Sequence, residues 1–346
     1  MVDMEKASVL MDHVIELACK ENKKTGFLIG NTAKVDSEGP YYTPVRITPS
    51  MVIAGAVVYS EQQAIELASL VDRKLDYVIV DAEKKVMDSM SMSGEPANIE
   101  RAVKETVSQT KFLSYKGNDL TVGAVDSFLA YLYKDDVQGI GGKKVSIIGA
   151  GNFGAKLALK VVERGGSVVI ARRDLAKLKI VTDALNVIKP DYTRAKVTYA
   201  NSNEEASVNA NILVGSSDGV AVITKEMVEQ LASNAIIIDA GKGTVAADAI
   251  ELAQSRNISV YRLDVGAALV GMVEAQLEIE KIFKNKIGRA QFKGETIIAG
   301  GLMGSYGEIV VDSVVVPSVV YGMANGKGDF IRKLSKEQIK RMQELI

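Results

Sequence analysis

A short apolar strand runs directly into a glycine-rich turn at residues 143–154, which read Lys-Lys-Val-Ser-Ile-Ile-Gly-Ala-Gly-Asn-Phe-Gly. A helix-like stretch follows over residues 155–164, and a second apolar strand over residues 167–171. Glycines in such a turn let the backbone approach a pyrophosphate, and the helix start offers free N–H groups and a positive dipole end. This order of elements is the context that the G-x-G-x-x-G pattern requires, so it predicts a dinucleotide site rather than a turn shaped only for packing. The predicted contacts are Gly149, Gly151, Asn152, Phe153 and Gly154.

The end of the second strand indicates which dinucleotide binds. Sites for NAD usually place an Asp or Glu there, which accepts a hydrogen bond from the ribose 2′-hydroxyl. This chain carries Arg172 and Arg173 instead, followed by Asp174. Because guanidinium groups pair well with phosphate, we predict NADP as the cofactor, bound through both arginines. Two alternatives stay open: a solvated arginine pair with Asp174 as a helix N-cap, or Asp174 turned toward the ribose.

The composition excludes several classes of function. One cysteine leaves no internal disulfide and no zinc cluster, and one histidine, His13 on an amphipathic helix, disfavours histidine-based catalysis and metal sites. A formal net charge of −1 argues against nucleic acid and anionic membrane as partners. No long uncharged apolar run predicts a transmembrane helix, and Asp3 and Glu5 precede any apolar run. We therefore expect a cytoplasmic protein that binds a small-molecule substrate and no metal.

Apolar strands alternate with amphipathic helices along most of the chain. This alternation predicts an α/β fold, with an N-terminal α/β substrate domain followed by a Rossmann-type doubly wound parallel-sheet domain. Residues 31–50 are typical of a loop. The stretches 270–282 and 310–323 are expected to be helices that cross back. The expected bounds are 1–121 for the substrate and catalytic domain, 122–138 for a connecting helix, 139–268 for the NADP-binding domain and 269–346 for the C-terminal helices.

The apolar run at residues 309–320 is rich in valine and too hydrophobic for an exposed helix. It is either core or the seam between two subunits. We favour a homodimer.

Four further segments carry a recognisable pattern. Residues 117–124 read Gly-Asn-Asp-Leu-Thr-Val-Gly-Ala and open a helix, and residues 211–217 read Asn-Ile-Leu-Val-Gly-Ser-Ser. Residues 235–241 read Ala-Ile-Ile-Ile-Asp-Ala-Gly, and residues 264–269 read Asp-Val-Gly-Ala-Ala-Leu. Taken together, these segments resemble the NADP-dependent methylene-tetrahydrofolate and methylene-tetrahydromethanopterin dehydrogenases and the related shikimate dehydrogenases.

The resemblance implies a substrate cleft between an N-terminal domain and a Rossmann domain, with hydride transfer across it. It places Ser216 and Ser217 in a loop that passes the nicotinamide, and Asp239 and Gly241 at a strand end beside the cofactor. It also implies substrate-binding roles for residues facing the cleft, which are Asn118, Lys242 and Gly266.

Two hydride-transfer chemistries make different demands on such a cleft. Oxidising an alcohol to a ketone needs a general base, and a lysine beside an aspartate provides one. Lys84 or Lys85, which follow an apolar strand, together with Asp119 at the hinge, are the candidate catalytic residues. Oxidising a methylene bridge between two nitrogens moves no proton and needs only positioning and a nearby acid such as Asp119. In the alternative interpretation the lysines form a solvated turn and Asp119 is a helix N-cap.

We therefore expect an NADP-dependent dehydrogenase, with a methylene-tetrahydropterin, or carbon-one, substrate as the leading hypothesis. The enzymatic alternatives are a shikimate-type alcohol dehydrogenase and an amino-acid or imine dehydrogenase. The non-enzymatic alternative is a protein that binds NADP as a sensor.

Overall fold

The computed structural model of the chain describes residues 2–33, 39–86, 97–217 and 219–346. The chain divides into two compact units, Met1–Met272 and Val273–Ile346. Within the described residues, the first unit contains two larger sheets with their helices, and the second contains a smaller sheet.

The first sheet belongs to the N-terminal part of the first unit. Its strands are β1 (Lys24–Asn31), β2 (Tyr41–Ile47), β3 (Met51–Val58), β4 (Tyr77–Asp81) and β5 (Lys111–Tyr115). The accompanying helices are α1 (Met4–Glu21), α2 (Glu61–Val71) and α3 (Ile99–Thr106). The strand order is β2-β3-β1-β4-β5, parallel throughout except for β2, which pairs antiparallel with β3 at the edge. The central strands are buried along nearly their whole length, as parallel strands covered by helices are.

The second sheet is parallel throughout. Its strands are β6 (Lys144–Ile148), β7 (Ser167–Ala171), β8 (Val197–Tyr199), β9 (Ile212–Gly215), β10 (Ile236–Asp239) and β11 (Ser259–Arg262). Its helices are α4 (Gly117–Leu132), α5 (Asn152–Glu163), α6 (Leu175–Ile188), α7 (Asn203–Ser207), α8 (Lys225–Glu229) and α9 (Ala247–Ser255). The strand order β11-β10-β9-β6-β7-β8 changes direction at β6, where doubly wound sheets bind their ligands. The predicted α/β class with a Rossmann-type domain is confirmed.

The second unit differs from its sequence prediction. It contains most of α10 (Gly266–Asn285), followed by β12 (Gly288–Phe292), β13 (Glu295–Ala299), β14 (Ile309–Val311), β15 (Val320–Met323) and α11 (Lys336–Leu345). The helix expected over 270–282 is confirmed, but the helix expected over 310–323 is wrong, because β14 and β15 occupy those residues. The β-branched valines favour strands, and Pro317, which lies between β14 and β15, is unfavourable inside a helix. None of the described helices is both long and apolar enough to span a membrane.

Two expectations in the first unit also need correction. Residues 31–50 are not all loop, because β2 lies within them and pairs with β3. The connecting helix expected at 122–138 is α4, which begins earlier and ends at Leu132. The chain after it turns through Gly139 and Gly142, which have positive φ angles that residues with side chains rarely adopt.

The glycine turn between β6 and α5 depends on one close backbone approach. A Cβ atom on Gly154 would overlap the carbonyl oxygen of Gly149, so α5 packs against the turn with no room for a side chain. A Cβ atom on Gly151, by contrast, would meet no heavy atom within 4 Å. The third glycine of the pattern therefore serves packing, and the second does not.

We expect Gly154→Ala to lower the free energy of unfolding by about 1–3 kcal/mol, because the added methyl group overpacks the turn. Gly151→Ala is the matched control and is expected to unfold like the wild type, since its φ of −84° suits alanine. Urea denaturation of both variants measures the difference. Equal stability of the two variants would contradict the packing role of Gly154.

Candidate functional site

The middle of the glycine turn is open and has hydrogen-bond donors beside it. Gly149 adopts a φ of +110°, and a side chain there would collide with Ser216. Gly151 is the N-cap residue of α5 and contributes no side-chain cap to the N–H groups that begin the helix at Asn152. Because such N–H groups and the helix dipole attract anions, this position suits a phosphate group.

Positive charge follows β7 directly. Arg172 is partly buried, and its Nη1 donates to the carbonyl oxygen of Ala150 at 3.1 Å, which places the guanidinium against the glycine turn. Arg173 is exposed. Asp174 accepts a hydrogen bond from the Lys177 N–H at 3.0 Å and caps α6. Asp174 is therefore the N-cap of α6, as the first alternative predicts. Arg172 and Arg173 remain the charged side chains at the end of β7.

The predicted nicotinamide loop after β9 is tied to the glycine turn. The hydroxyl oxygen of Ser216 lies 2.8 Å from the carbonyl oxygen of Ile148 and 2.6 Å from that of Gly149. The Ser217 hydroxyl donates to the carbonyl oxygen of Val220 at 2.6 Å. Both serines hold backbone in place here, and their contact with a nicotinamide stays a prediction.

Asp239 ends β10 and holds the turn that follows. Its Oδ1 accepts from the Thr244 N–H at 3.1 Å and hydroxyl at 2.7 Å, and its Oδ2 accepts from the Gly243 N–H at 2.7 Å. Burial alone would raise the pKa of Asp239, but these hydrogen bonds, together with the charge of Arg262, hold that pKa below its ordinary value. Both oxygens of the Asp239 carboxylate thus accept hydrogen bonds from the turn that follows β10. A contact between Asp239 and the cofactor remains a prediction.

An acid–lysine cluster of Asp81, Glu83 and Lys85 lies at the carboxyl end of β4. The Lys85 ammonium is 2.8 Å from Asp81 Oδ2 and 2.9 Å from Glu83 Oε2. Asp81 Oδ1 accepts from the Gly117 N–H at 2.9 Å, and Glu83 Oε2 accepts from the Asn118 N–H at 2.9 Å. The two carboxylates thus fix both the lysine and the start of α4.

The expected pairing of Asp119 with Lys84 or Lys85 is wrong. Asp119 Oδ1 accepts instead from Lys156 Nζ at 2.5 Å. Asp119 lies in the first turn of α4, whose N-cap residue is Lys116, so the N-cap alternative is wrong as well. Lys84 is exposed, whereas Lys85 is partly buried. The structure therefore separates the two lysines that the sequence left equivalent.

Asn118 joins the acid–lysine cluster to the glycine turn. Its Nδ2 donates to Asn152 Oδ1 at 3.1 Å, while Glu83 binds its backbone N–H. Asn152 is exposed at the start of α5, and Phe153 packs against the core of the domain. A residue predicted to bind substrate is thus in direct contact with one predicted to bind the cofactor.

A cleft of about 190 Å³ opens beside the cluster. Three of the predicted catalytic and substrate-binding residues line it, namely Lys85, Asn118 and Lys242. The other three, Lys84, Asp119 and Gly266, do not. The cleft is also lined by polar side chains that sequence analysis did not single out, among them Asn31, Arg46, Asp81 and Tyr115.

Tyr115 and Asn31 contribute hydrogen-bonding groups to this cleft. Burial raises the pKa of Tyr115 well above its ordinary value, and the carboxylates of Asp81 and Glu83 raise it further, so the hydroxyl stays protonated. Asn31 Nδ2 donates to the carbonyl oxygens of Asp81 at 3.1 Å and Glu83 at 2.8 Å. Its Oδ1 is buried without a hydrogen-bond partner among the described residues.

The turn after β10 and the start of α10 supply the remaining predicted residues. Gly241 has no room for a side chain, since a Cβ would overlap the carbonyl oxygen of Ser217. Lys242 follows in the left-handed region, with a φ of +56°. The Gly266 N–H donates to Asp264 Oδ1 at 2.8 Å, so Gly266 positions a carboxylate beside the cleft.

The residues missed by sequence analysis carry one usable signal. Asp81 and Glu83 directly follow an apolar strand, and the carboxyl ends of parallel strands meet at one edge of a sheet. Arg46 and Tyr115 carry no comparable local pattern. In the part of the chain that the structure describes, no group of three or more His, Cys, Asp or Glu side chains is placed to hold a metal ion.

Residues 144–243 match the model of a protein family described as NADP oxidoreductase, coenzyme F420-dependent. The match begins with β6 and ends in the turn after β10, and covers less than a third of the 346 residues. It includes the glycine turn, both arginines and Asp239. This part of the chain is therefore similar to oxidoreductase domains of the NAD(P)-binding type. A search of curated proteins gave no match.

Several solved structures are similar to the chain at low identity. Glutamate dehydrogenase from Thermus thermophilus is 14% identical over 76% of this chain and 70% of its own, with a TM-score of 0.42. L-tryptophan dehydrogenase from Nostoc punctiforme is 13% identical over 76% and 77%, with a TM-score of 0.41. Ornithine carbamoyltransferase from Pyrococcus furiosus is 13% identical over 79% and 92%, also with a TM-score of 0.41.

We expect Asp239→Asn to lower the free energy of unfolding by about 2–4 kcal/mol at pH 7, because it removes a charged acceptor of buried hydrogen bonds. The folded pKa lies below the unfolded value, so the stabilisation is complete above the unfolded pKa and is lost as the pH falls through the folded one. The difference between wild type and variant should therefore shrink below about pH 4.

Urea denaturation between pH 7 and pH 3 measures this difference. Thr244→Val, which removes one neutral donor to the same carboxylate, is the control and is expected to cost about 1 kcal/mol. If the loss of unfolding free energy in Asp239→Asn did not change with pH, the charge of the Asp239 carboxylate would not be the cause of the stabilisation.

Proposed function

We propose that the protein is an NADP-dependent oxidoreductase that transfers a hydride between the nicotinamide and a small polar substrate in the cleft. The observation that carries the proposal is the hydrogen bond from Asn118 to Asn152, at 3.1 Å, because it brings the acid–lysine cluster beside the glycine turn. Oxidation of an alcohol, or reduction of a carbonyl or imine, requires a dinucleotide and a proton-transferring group at one place. The family match over residues 144–243 supports the oxidoreductase class.

The residues around the glycine turn fit a phosphate-bearing dinucleotide. The open position at Gly151 leaves room for a pyrophosphate, which the N–H groups at the start of α5 would bind. Arg172 and Arg173 supply the charge that a 2′-phosphate needs, and Asp174 is engaged in capping α6. The description of the matched family also names NADP. When bound, NADP supplies or accepts the hydride.

Lys85 is the group that we assign to proton transfer. Its ion pairs with Asp81 and Glu83 hold the ammonium in the lining of the cleft, where it donates a proton to a carbonyl oxygen or imine nitrogen during reduction. Tyr115 also lines the cleft, and its protonated hydroxyl is a second hydrogen-bond donor for the substrate. In the oxidative direction Lys85 first releases a proton to solvent, and its neutral amine then accepts the O–H proton as the C–H hydrogen leaves as hydride.

The size and polarity of the cleft favour an alcohol or imine substrate, as in a shikimate-type alcohol dehydrogenase or an amino-acid or imine dehydrogenase. The volume of about 190 Å³ lies below the ~300–1,000 Å³ of pockets for drug-sized ligands, and a reduced pterin with its side chain needs more. A proton-donating lysine also has a use in alcohol or imine chemistry.

A methylene-tetrahydropterin dehydrogenase is the second candidate function. The resemblance of residues 117–124 and 235–241 to that family favours it, and its hydride transfer needs no proton donor. Under this hypothesis Lys85 binds and orients the substrate instead of exchanging a proton with it. An NADP sensor would keep the cofactor site without turnover.

The homodimer also remains a proposal. Within residues 309–320, Ile309 and Val311 lie in the core of the second unit, whereas Val315 and Val316 are 55% and 73% exposed. Exposed adjacent valines support a second copy of the chain as their cover.

We expect Lys85→Met to lower kcat/KM by about 10²- to 10⁴-fold, because the variant lacks the proton donor. NADP affinity should be unchanged, because the substitution leaves the glycine turn intact. Lys84→Met is the matched control and should retain full activity, since Lys84 is exposed and lies outside the cleft lining. NADPH absorbance with panels of small alcohols, amino acids and methylene-tetrahydropterins provides the assay.

The outcomes separate the three hypotheses. Turnover of an alcohol or amino acid that requires Lys85 supports the proposal. Turnover of a pterin alone favours the second candidate. NADP binding by the wild type with no turnover of any panel member favours the sensor.

We expect the double variant Arg172→Ala/Arg173→Ala to bind NADP about 10- to 100-fold more weakly, with NAD affinity unchanged, because charge-assisted hydrogen bonds to the 2′-phosphate are lost. Calorimetric titration of both dinucleotides measures the change. Arg194→Ala, at another exposed arginine of the same domain, is the control. A wild type that binds NAD more tightly than NADP would contradict the proposed cofactor.

A further inference from the structure

Two basic side chains outside the acid–lysine cluster line the same cleft as Lys85. Arg46 comes from β2 of the first sheet, and Lys242 comes from the turn after β10 of the second. The proposed reaction uses Lys85 for proton transfer and leaves these two cations without a role. Their place in the cleft lining gives this part of the cleft a positive charge, which suits a ligand group of negative charge.

The position of Arg46 arises from an irregularity in β2. The pairing of β2 with β3 shifts register between Thr43 and Arg46, in a segment that contains Pro44, and these three residues all line the cleft. A bulge re-aims side chains that regular alternation would point elsewhere, and bulges are common beside active sites. The edge strand is thus shaped to present the guanidinium to the cleft.

Arg46 is held but not saturated. Its Nη2 donates to Asp264 Oδ1 at 2.8 Å, and its Nε and Nη1 make no hydrogen bond within the described part of the chain. The Arg46 side chain is 24% exposed, whereas that of Asp264 is 73% exposed. The mostly buried guanidinium is oriented by an exposed carboxylate that can share it, so the remaining donors of the planar fork can receive a second carboxylate.

A strained turn holds Lys242 near Asp264, the carboxylate that pairs with Arg46. Its φ of +56° is unusual for a residue with a side chain, and the flanking Gly243 is fixed by the Asp239 carboxylate. The Lys242 ammonium lies 5.3 Å from the centre of the Tyr41 ring, on the same strand as Arg46. Its charge also helps to lower the pKa of Asp264, which places it close to the partner of Arg46. Strained residues of this kind concentrate at ligand sites.

We propose that the substrate of the cleft carries a carboxylate, which Arg46 and Lys242 bind together, while Lys85 and Tyr115 face the carbon that is oxidised or reduced. This inference rests on the proposed function, because it names the substrate class of the same site. The class is that of small hydroxy or amino acids and their oxo or imino counterparts. When a hydroxy acid is oxidised, the neutral amine of Lys85 accepts its hydroxyl proton, the C–H hydrogen leaves as a hydride that NADP would accept, and the carboxylate is unchanged.

The test compares each acid with its own primary amide, which keeps the shape and removes the charge. Calorimetric titration of the NADP-loaded protein uses lactate, alanine and larger hydroxy and amino acids up to seven carbons, each beside its amide, with glycerol phosphate as a phosphate-bearing probe. We expect at least one acid to bind at least about tenfold more tightly than its amide. Arg46→Met and Lys242→Met should each remove that preference.

Control variants identify the cause. Arg46→Lys keeps the charge but not the fork and should retain part of the preference. Arg73→Met, at an exposed arginine outside this cleft, should retain all of it. Because Lys242 is exposed, Lys242→Met tests the proposal even if Arg46→Met fails to fold.

Several outcomes overturn the proposal: amides that bind as well as acids, glycerol phosphate bound in place of every acid, no binding of any acid, or an acid preference that survives both variants. Failure of the proposed function looks different. An acid that binds through Arg46 and Lys242 but yields no NADPH leaves the carboxylate site standing and removes the dehydrogenase.

Discussion

The carboxylate of Asp81 is the group on which the cleft depends. It is 1% exposed, accepts hydrogen bonds from the N–H groups of Glu83 at 3.0 Å and Gly117 at 2.9 Å, and lies 2.8 Å from Lys85 Nζ. Burying a charge costs several kcal/mol unless donors surround it, so these contacts stabilise one another. One oxygen pair thereby joins the end of β4, the loop after it and the start of α4. Gly117 must be glycine here because a Cβ would overlap this carboxylate.

The second sheet repeats this arrangement at Asp239. Each aspartate is the last residue of a buried parallel strand, each is nearly inaccessible to solvent, and each binds backbone N–H groups of the chain that follows. Each also stabilises the segment that carries a cleft lysine, Lys85 in one case and Lys242 in the other. The carboxyl edges of the two sheets therefore use the same means to hold the two lysines that line the cleft.

Local signals explain which features could be predicted from sequence. Neighbouring residues in the sequence are enough to recognise the glycine turn, the arginines after β7 and the alternation of strands and helices. The Rossmann-type fold follows from these features. The partner of Lys85 is not local in the same way, because its choice between Asp81 and Asp119 depends on how β4 meets α4. The helix expected over residues 310–323 is wrong for another reason: apolar content alone does not distinguish a helix from a strand, and the β-branched side chains favour strands. The bulge that aims Arg46 has no sequence signal that we could identify.

The ion pair between Arg46 and Asp264 joins residues 218 positions apart in the chain. During synthesis the arginine leaves the ribosome long before its partner exists, so the first sheet must stay folded, or refold, with this part of its edge exposed. Contacts of such sequence separation close large loops and contribute to slow folding. A chain truncated or stalled before residue 264 would therefore present Arg46 to solvent without its carboxylate partner.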